Sequence, residues 1–198
     1  MNCSSRSTAA GTIATIGLCL PLLTSIAPLA AQAQDQGYLC CNLRSDGAWI
    51  SDANYAEGSK YVVPFGTPVR VTGQGRYRVN VDVAGKAMAI GNDYSRDLAM
   101  DVFARKYVVP EDPRALVASL PVRFRRAIES ARVTPGMSRG QVAIALGWPI
   151  SSENPHLETR VWKYWLWTFS PFEVRFDDSG RVVTVSADPD TRARVFME

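Results

Sequence analysis

The stretch Val69-Arg70-Val71-Thr72-Gly73-Gln74-Gly75-Arg76-Tyr77-Arg78-Val79-Asn80-Val81-Asp82-Val83-Ala84-Gly85-Lys86-Ala87-Met88-Ala89-Ile90 decides how the first half of this chain is read. Val69 and Val71 alternate with Arg70 and Thr72. After Gly73-Gln74-Gly75, Tyr77, Val79, Val81 and Val83 alternate with Arg76, Arg78, Asn80 and Asp82. Successive side chains of a strand point to opposite sides, so one set is buried and the other wet. Gly85 turns the chain, and Lys86 to Ile90 returns as another short strand. The pattern predicts an antiparallel meander with one solvated face. Over residues 34–95 it predicts a small β-rich N-terminal unit of SH3-barrel size.

Upstream of that unit, Arg6 is the only charge before Asp35, and an apolar run from Ala9 to Ala31 leads to Ala31-Gln32-Ala33. A basic start, an apolar middle and an A-x-A site predict a secretory signal peptide over 1–33, cleaved after Ala33. An uncleaved anchor is the alternative, which Pro21 and Pro28 within the run disfavour. Cleavage removes Cys3 and Cys19 and leaves Cys40 and Cys41 in a periplasmic chain. Neither Cys19 nor Cys40 follows a lipobox, so no lipid anchor is expected. The adjacent pair admits three readings: a disulfide between neighbours, a bridge to another chain, or two thiols on opposite faces of a strand.

Downstream, residues 96–120 read as a helical linker. Ser95 is a candidate cap, Leu98, Ala99, Val102, Phe103 and Lys106 sit at helical spacing, and Val109-Pro110 stops the run before a second turn near Pro113. From Pro121, Phe124, Ala127, Ile128 and Ala131 fall at i, i+3, i+4 and i+7. The other side carries Arg123, Arg125, Arg126 and Arg132, a candidate surface for anionic lipid or, more blandly, a solvated face aided by the Arg125–Glu129 spacing. Ser138 and Gln141 form a capping box, Met137 and Val142 its hydrophobic staple, and Gly147 and Pro149 end that helix, with Gly147 expected to turn left-handed. Three strands follow, Arg160–Phe169, Phe172–Asp177 and Arg181–Ala187, the last two joined through Asp178-Ser179-Gly180. Residues 121–187 therefore predict an α+β unit, two helices on a three-stranded antiparallel sheet, with 188–198 as a tail.

Within that unit, Gly136-Met137-Ser138-Arg139-Gly140-Gln141-Val142, Leu146-Gly147-Trp148-Pro149, Trp162-Lys163-Tyr164 and Val174-Arg175-Phe176 to Gly180-Arg181-Val182 follow in order. Together they resemble the SmpA/OmlA (BamE-like) family. The resemblance implies a domain at the inner face of the outer membrane that contributes to outer-membrane protein assembly or envelope integrity. The family's assembly-machinery member is a lipoprotein made essentially of this domain alone. This chain differs on both points, lacking a lipobox and adding a β-rich N-terminal part.

Composition bounds the function classes. The formal charge of +3, from 22 basic and 19 acidic residues, gives no basic excess for nucleic acid. The single histidine, His156, leaves room for neither a His-rich metal centre nor a triad elsewhere, and it lies in a loop beside Glu153 and Glu158. No phosphate loop, nucleophile elbow or metal-ligand spacing occurs. The expectation is a non-catalytic envelope protein without cofactor, working through contacts with envelope proteins. A periplasmic binding or inhibitor module, for peptidoglycan, a peptide or an enzyme, is the alternative. If Trp162 and Tyr164 face the helices, then Lys163, Trp165, Trp167, Glu173 and Arg175 share the opposite face as partner-binding candidates. The competing reading is a seam covered within the chain itself.

Overall fold

The computed structural model describes residues 36–198; the expected signal segment, its cleavage site, Cys3 and Cys19 lie outside the described residues. Eight strands form one curled sheet: β1 (Gln36–Leu39), β2 (Leu43–Ser45), β3 (Trp49–Ser51), β4 (Tyr61–Val63), β5 (Pro68–Gly75), β6 (Arg78–Val83), β7 (Lys86–Gly91) and β8 (Val108–Val109). Their order is β4-β2-β3-β7-β6-β5-β1-β8. The meander read from the alternation is its centre, with Val71 opposite Val81 and Val79 opposite Ile90. Val79, Val81 and Val83 are buried, while Asn80 and Asp82 stand half-buried on the other face. At the β6–β7 turn Ala84 and Gly85 have φ of 52° and 83°, the pair of positive values that suits a two-residue hairpin loop.

Two features of this sheet exceed a meander. β3 runs parallel to β7, pairing Ile50 with Ile90, and so attaches β2 and β4 to the outer edge. β8, after the first helix, closes onto β1 through Tyr38 and Val109. Tyr77, assigned by alternation to the apolar face, instead lies in the β5–β6 turn. It is exposed there, with the Arg76 and Arg96 guanidiniums 5.1 and 4.7 Å from its ring centroid. The core under this sheet joins Leu39, Leu43, Ile50, Val81 and Ile90 to Phe103 and Tyr107 of α1 (Met100–Tyr107). Ser95 does not cap α1; Ala99 precedes it, and the Ser95 hydroxyl accepts from the Ser151 amide.

A second sheet, in the order β11-β10-β9, comprises β9 (Val161–Trp165), β10 (Pro171–Phe176) and β11 (Val182–Ser186). Against it lie α2 (Pro113–Ala118), α3 (Val122–Glu129), α4 (Arg139–Leu146) and α5 (Pro189–Val195). Each contributes to one core with Trp162 at its centre: Val117, Ile128, Val142 with Leu146, and Val195. Trp162 is 1% exposed and meets Phe176 edge-on at 5.1 Å. Burying a side chain of this kind contributes about 1.5–3 kcal/mol.

The architecture expected from the sequence is overturned. The α+β chain is dominated by the eight-stranded sheet with a further three-stranded sheet, and it is not a BamE-like fold of two helices on three strands. Residues 188–198 are not a tail: Asp188 accepts from the Asp190 and Thr191 amides, Pro189 starts α5, and Val195 and Phe196 are buried. Buried polar groups also weld the two sheets. The Asn42 amide donates to Ile128 O at 2.7 Å and Ala145 O at 3.2 Å, and its oxygen accepts from Phe65 N. Asn54 donates to Asn42 O and Leu146 O and accepts from Arg44 N. Buried donors and acceptors are costly when unpaired, so these bonds fix the β1–β2 connection against the ends of α3 and α4.

Candidate functional site

On the second sheet, alternation sorts the aromatic residues as the sequence suggests. Trp162 and Tyr164 are buried, while Lys163 and Trp165 stand on the outer face opposite Glu173 and Pro171. Arg175 is on the same face, opposite Val161. The charges there engage one another: Arg175 lies 2.7 Å from Glu173 and donates to Ser186 Oγ, and Lys163 lies 3.9 Å from Glu153. Trp167 leaves this group. It lies beyond the end of β9, packed in part against the core, with the Arg194 guanidinium of α5 5.5 Å from its ring. Phe169, in the β9–β10 turn, is 90% exposed and was missed by the sequence reading, which placed it at the end of a strand.

The basic residues of α3 do not make one continuous array. Arg123 and Arg126 are exposed, whereas Arg125 and Arg132 are half-buried. Arg125 donates to Ala118 O at the end of α2, and it makes no ion pair with Glu129 among the described residues. Arg123 lies over the Phe124 ring at 4.7 Å. His156 is exposed, and its carbonyl accepts from Thr159 Oγ1.

Cys40 and Cys41 are joined by a disulfide directly after β1. Cys41 is fully buried, and the Cys40 amide donates to Tyr107 O. Cys40 also lines a cleft of about 410 Å³ where α1, α2 and α4 converge. Three local devices shape it. Asp112 caps α2, with Pro113 in its first turn. Ser138 and Gln141 make both bonds of the predicted capping box and fix the start of α4. Gly147 ends α4 with φ 85° and ψ 167°, an extended conformation essentially restricted to glycine, not the left-handed turn expected. A Cβ there would also approach Asn54 Nδ2 to 3.1 Å.

Past Gly147, Trp148 packs against both hydrophobic cores and forms one wall of the cleft. Val109, Pro113, Leu116 and Ile144 supply much of the remainder, and Leu116 is 56% exposed. Arg105 and Lys106 stand at the rim. Arg105 is paired with Asp101 at 2.8 Å. Lys106 makes no ion pair among the described residues, and its ammonium sits 5.5 Å from the Trp148 ring centroid, a cation–π distance. Burial pushes the Lys106 ammonium below the usual lysine range, and the more distant Asp52 and Asp97 oppose that shift.

Behind the cleft the buried titratable groups have structural work. Burial raises the Asp52 carboxyl, while bonds from Ser95 and the Tyr94 and Asp93 amides lower it in part. Burial likewise raises Tyr107, whose hydroxyl has no hydrogen-bond partner among the described residues. The arrangement offers apolar contact beside one unpaired cation, the chemistry of binding. Of the cleft residues only Cys40 was a candidate site residue from sequence; Lys106, Val109, Pro113, Ser138, Gly140, Gln141 and Trp148 were read as helix, turn, cap or motif positions. Lys106 and Trp148 meet only in three dimensions, across 42 residues of chain.

No family model matches this chain, and no curated protein or solved structure matches it. Nothing in these comparisons identifies an SmpA/OmlA domain.

Proposed function

We propose that this chain is a non-catalytic protein of the cell envelope that acts by binding, with the cleft between α1, α2 and α4 as its binding site. The observation that carries this reading is the apolar wall formed by Trp148, Ile144 and Leu116 beside the unpaired ammonium of Lys106. Ligand sites are characteristically concave and mostly apolar, with few polar groups to set orientation. Export to the periplasm is supported by the signal pattern before Gln34. A role in outer-membrane assembly rested on the BamE-like architecture and has lost that support.

The test uses the chain purified gently from its own envelope fraction, with its small-molecule content read by native mass spectrometry. Gly140 lines the cleft, and a Cβ there meets nothing closer than Ser138 Oγ at 4.0 Å, so Gly140→Trp is the substitution chosen to obstruct the space. A molecule carried by the wild type and lost from Gly140→Trp is the expected result. A chain that carries nothing, or the same molecule in both forms, refutes the cleft as the site.

A second reading, contact with an envelope protein through the outer face of β9 and β10, is favoured by Phe169 standing 90% exposed in the turn that joins those strands. Loss of a crosslinked partner from Phe169→Ser at unchanged stability would support it, and an unchanged crosslinking pattern would exclude it.

A further inference from the structure

We infer that the cleft takes a single-chain carboxylate amphiphile, its alkyl body along Ile144 and Leu116 and its head at Lys106. This rests on the binding reading above and adds the chemical class of the ligand. The cleft's volume of about 410 Å³ suits a small molecule, whose sites run roughly 300–1,000 Å³. One wall is the first part of α4, from Gly140 to Ile144.

The polar groups in the lining favour a ligand with a single anionic head. A sugar or a peptide needs several free donors and acceptors that converge on it. Here Ser138 Oγ accepts from Gln141 N, and Gln141 Oε1 accepts from Ser138 N, so both acceptors serve the helix cap and the two side chains offer only neutral donors to a ligand. Arg105 is held by Asp101. The charged group left to recognise a polar head is Lys106, half-buried against Trp148 with no carboxylate within ion-pair distance among the described residues. One unpaired cation matches a head of one negative charge. A phosphate monoester, with a charge nearer to two, would be matched in part only. The facing charges are consistent with this polarity. Asp52 and Asp97 act on Lys106 at longer range and oppose the effect of burial on its ammonium, and Arg105 stands beside it, paired with Asp101. A quaternary-ammonium ligand would meet the Lys106 ammonium there.

The experiment is calorimetric titration of the purified full chain with decanoate, decanol and decyltrimethylammonium. Decanoate is expected to bind saturably and about tenfold or more tighter than the cationic amphiphile, the increment of a charge-assisted contact. Lys106→Met keeps the aliphatic stem and removes the charge. It should weaken decanoate about tenfold and leave decanol unchanged. Circular dichroism of each variant establishes that it is folded. Equal affinity for decanoate and decyltrimethylammonium, or decanoate binding indifferent to Lys106→Met, overturns the inference. So does the absence of saturable decanoate binding by the folded wild type. A natural ligand that is lost from Gly140→Trp but carries no carboxylate would sink this inference while leaving the binding reading intact. A chain whose bound content ignores Gly140→Trp would sink both.

Discussion

Replacing Asn42 by alanine strips the seam between the two sheets of its central hydrogen bonds. The Ala145 carbonyl loses its bond from Asn42 Nδ2, and the Phe65 amide loses Asn42 Oδ1. Ile128 O loses a donor at 2.7 Å but keeps the Ala131 amide. Ala145 O, buried, and Phe65 N, part-buried, are then orphaned, at about 1–3 kcal/mol for a fully buried group, so the variant should lose about 2–4 kcal/mol. Native domains retain roughly 5–15 kcal/mol in total, so the loss is a large fraction of it. The assay is urea denaturation followed by tryptophan fluorescence and by far-ultraviolet circular dichroism. Trp49 reports on the large sheet, and Trp148, Trp162, Trp165 and Trp167 report on the seam and the second sheet. One coincident transition, shifted to lower urea with unchanged slope, is expected for a single cooperative unit. A loss below about 1 kcal/mol, or two separable transitions in the wild type, would refute the weld.

Ser138→Ala should cost about 1 kcal/mol, because it removes the side-chain half of the capping box, and the urea midpoint reads it. A neutral result would mean that α4 is held by packing alone. Asp52 is a carboxyl whose folded pKa lies above its unfolded value of 3.8, so its charged form destabilises the native state. The wild type should therefore gain stability relative to Asp52→Asn as pH falls through that raised pKa, with no further gain below 3.8; a difference independent of pH contradicts this. Trp167→Ala should lower the melting temperature, since Trp167 packs against the core under Arg194, while Trp165→Ala on the outer face should change it little. Equal effects would mean that the two rings share one environment.

Local order was legible wherever a short-range signal sufficed. Ser138 and Gln141 announced the start of α4, Gly85 announced the β6–β7 turn, and the valines of β6 announced their buried face. The architecture was not legible, because it depends on pairings between distant short segments. β2, β3 and β4 have three residues each, too few to display a period, and only the parallel register of Ile50 with Ile90 makes them part of the large sheet. Asn42 and Asn54 look like loop residues in sequence, and their role exists only once α3 and α4 present carbonyls to them. α5 was missed because Asp188-Pro189 also reads as turn chemistry, and its buried Val195 and Phe196 carry too short a pattern to register. The cleft was hidden for the same reason: Cys40, Lys106, Leu116 and Trp148 come from four segments.

The most direct measurement of the binding account is the indole N–H spectrum of the ¹⁵N-labelled chain during a decanoate titration. Five tryptophans give five resolved reporters. The account predicts a saturable shift of Trp148, with Trp165 and Trp167 unmoved. A shift confined to Trp165 and Trp167, or no shift in any indole at saturating decanoate, contradicts it.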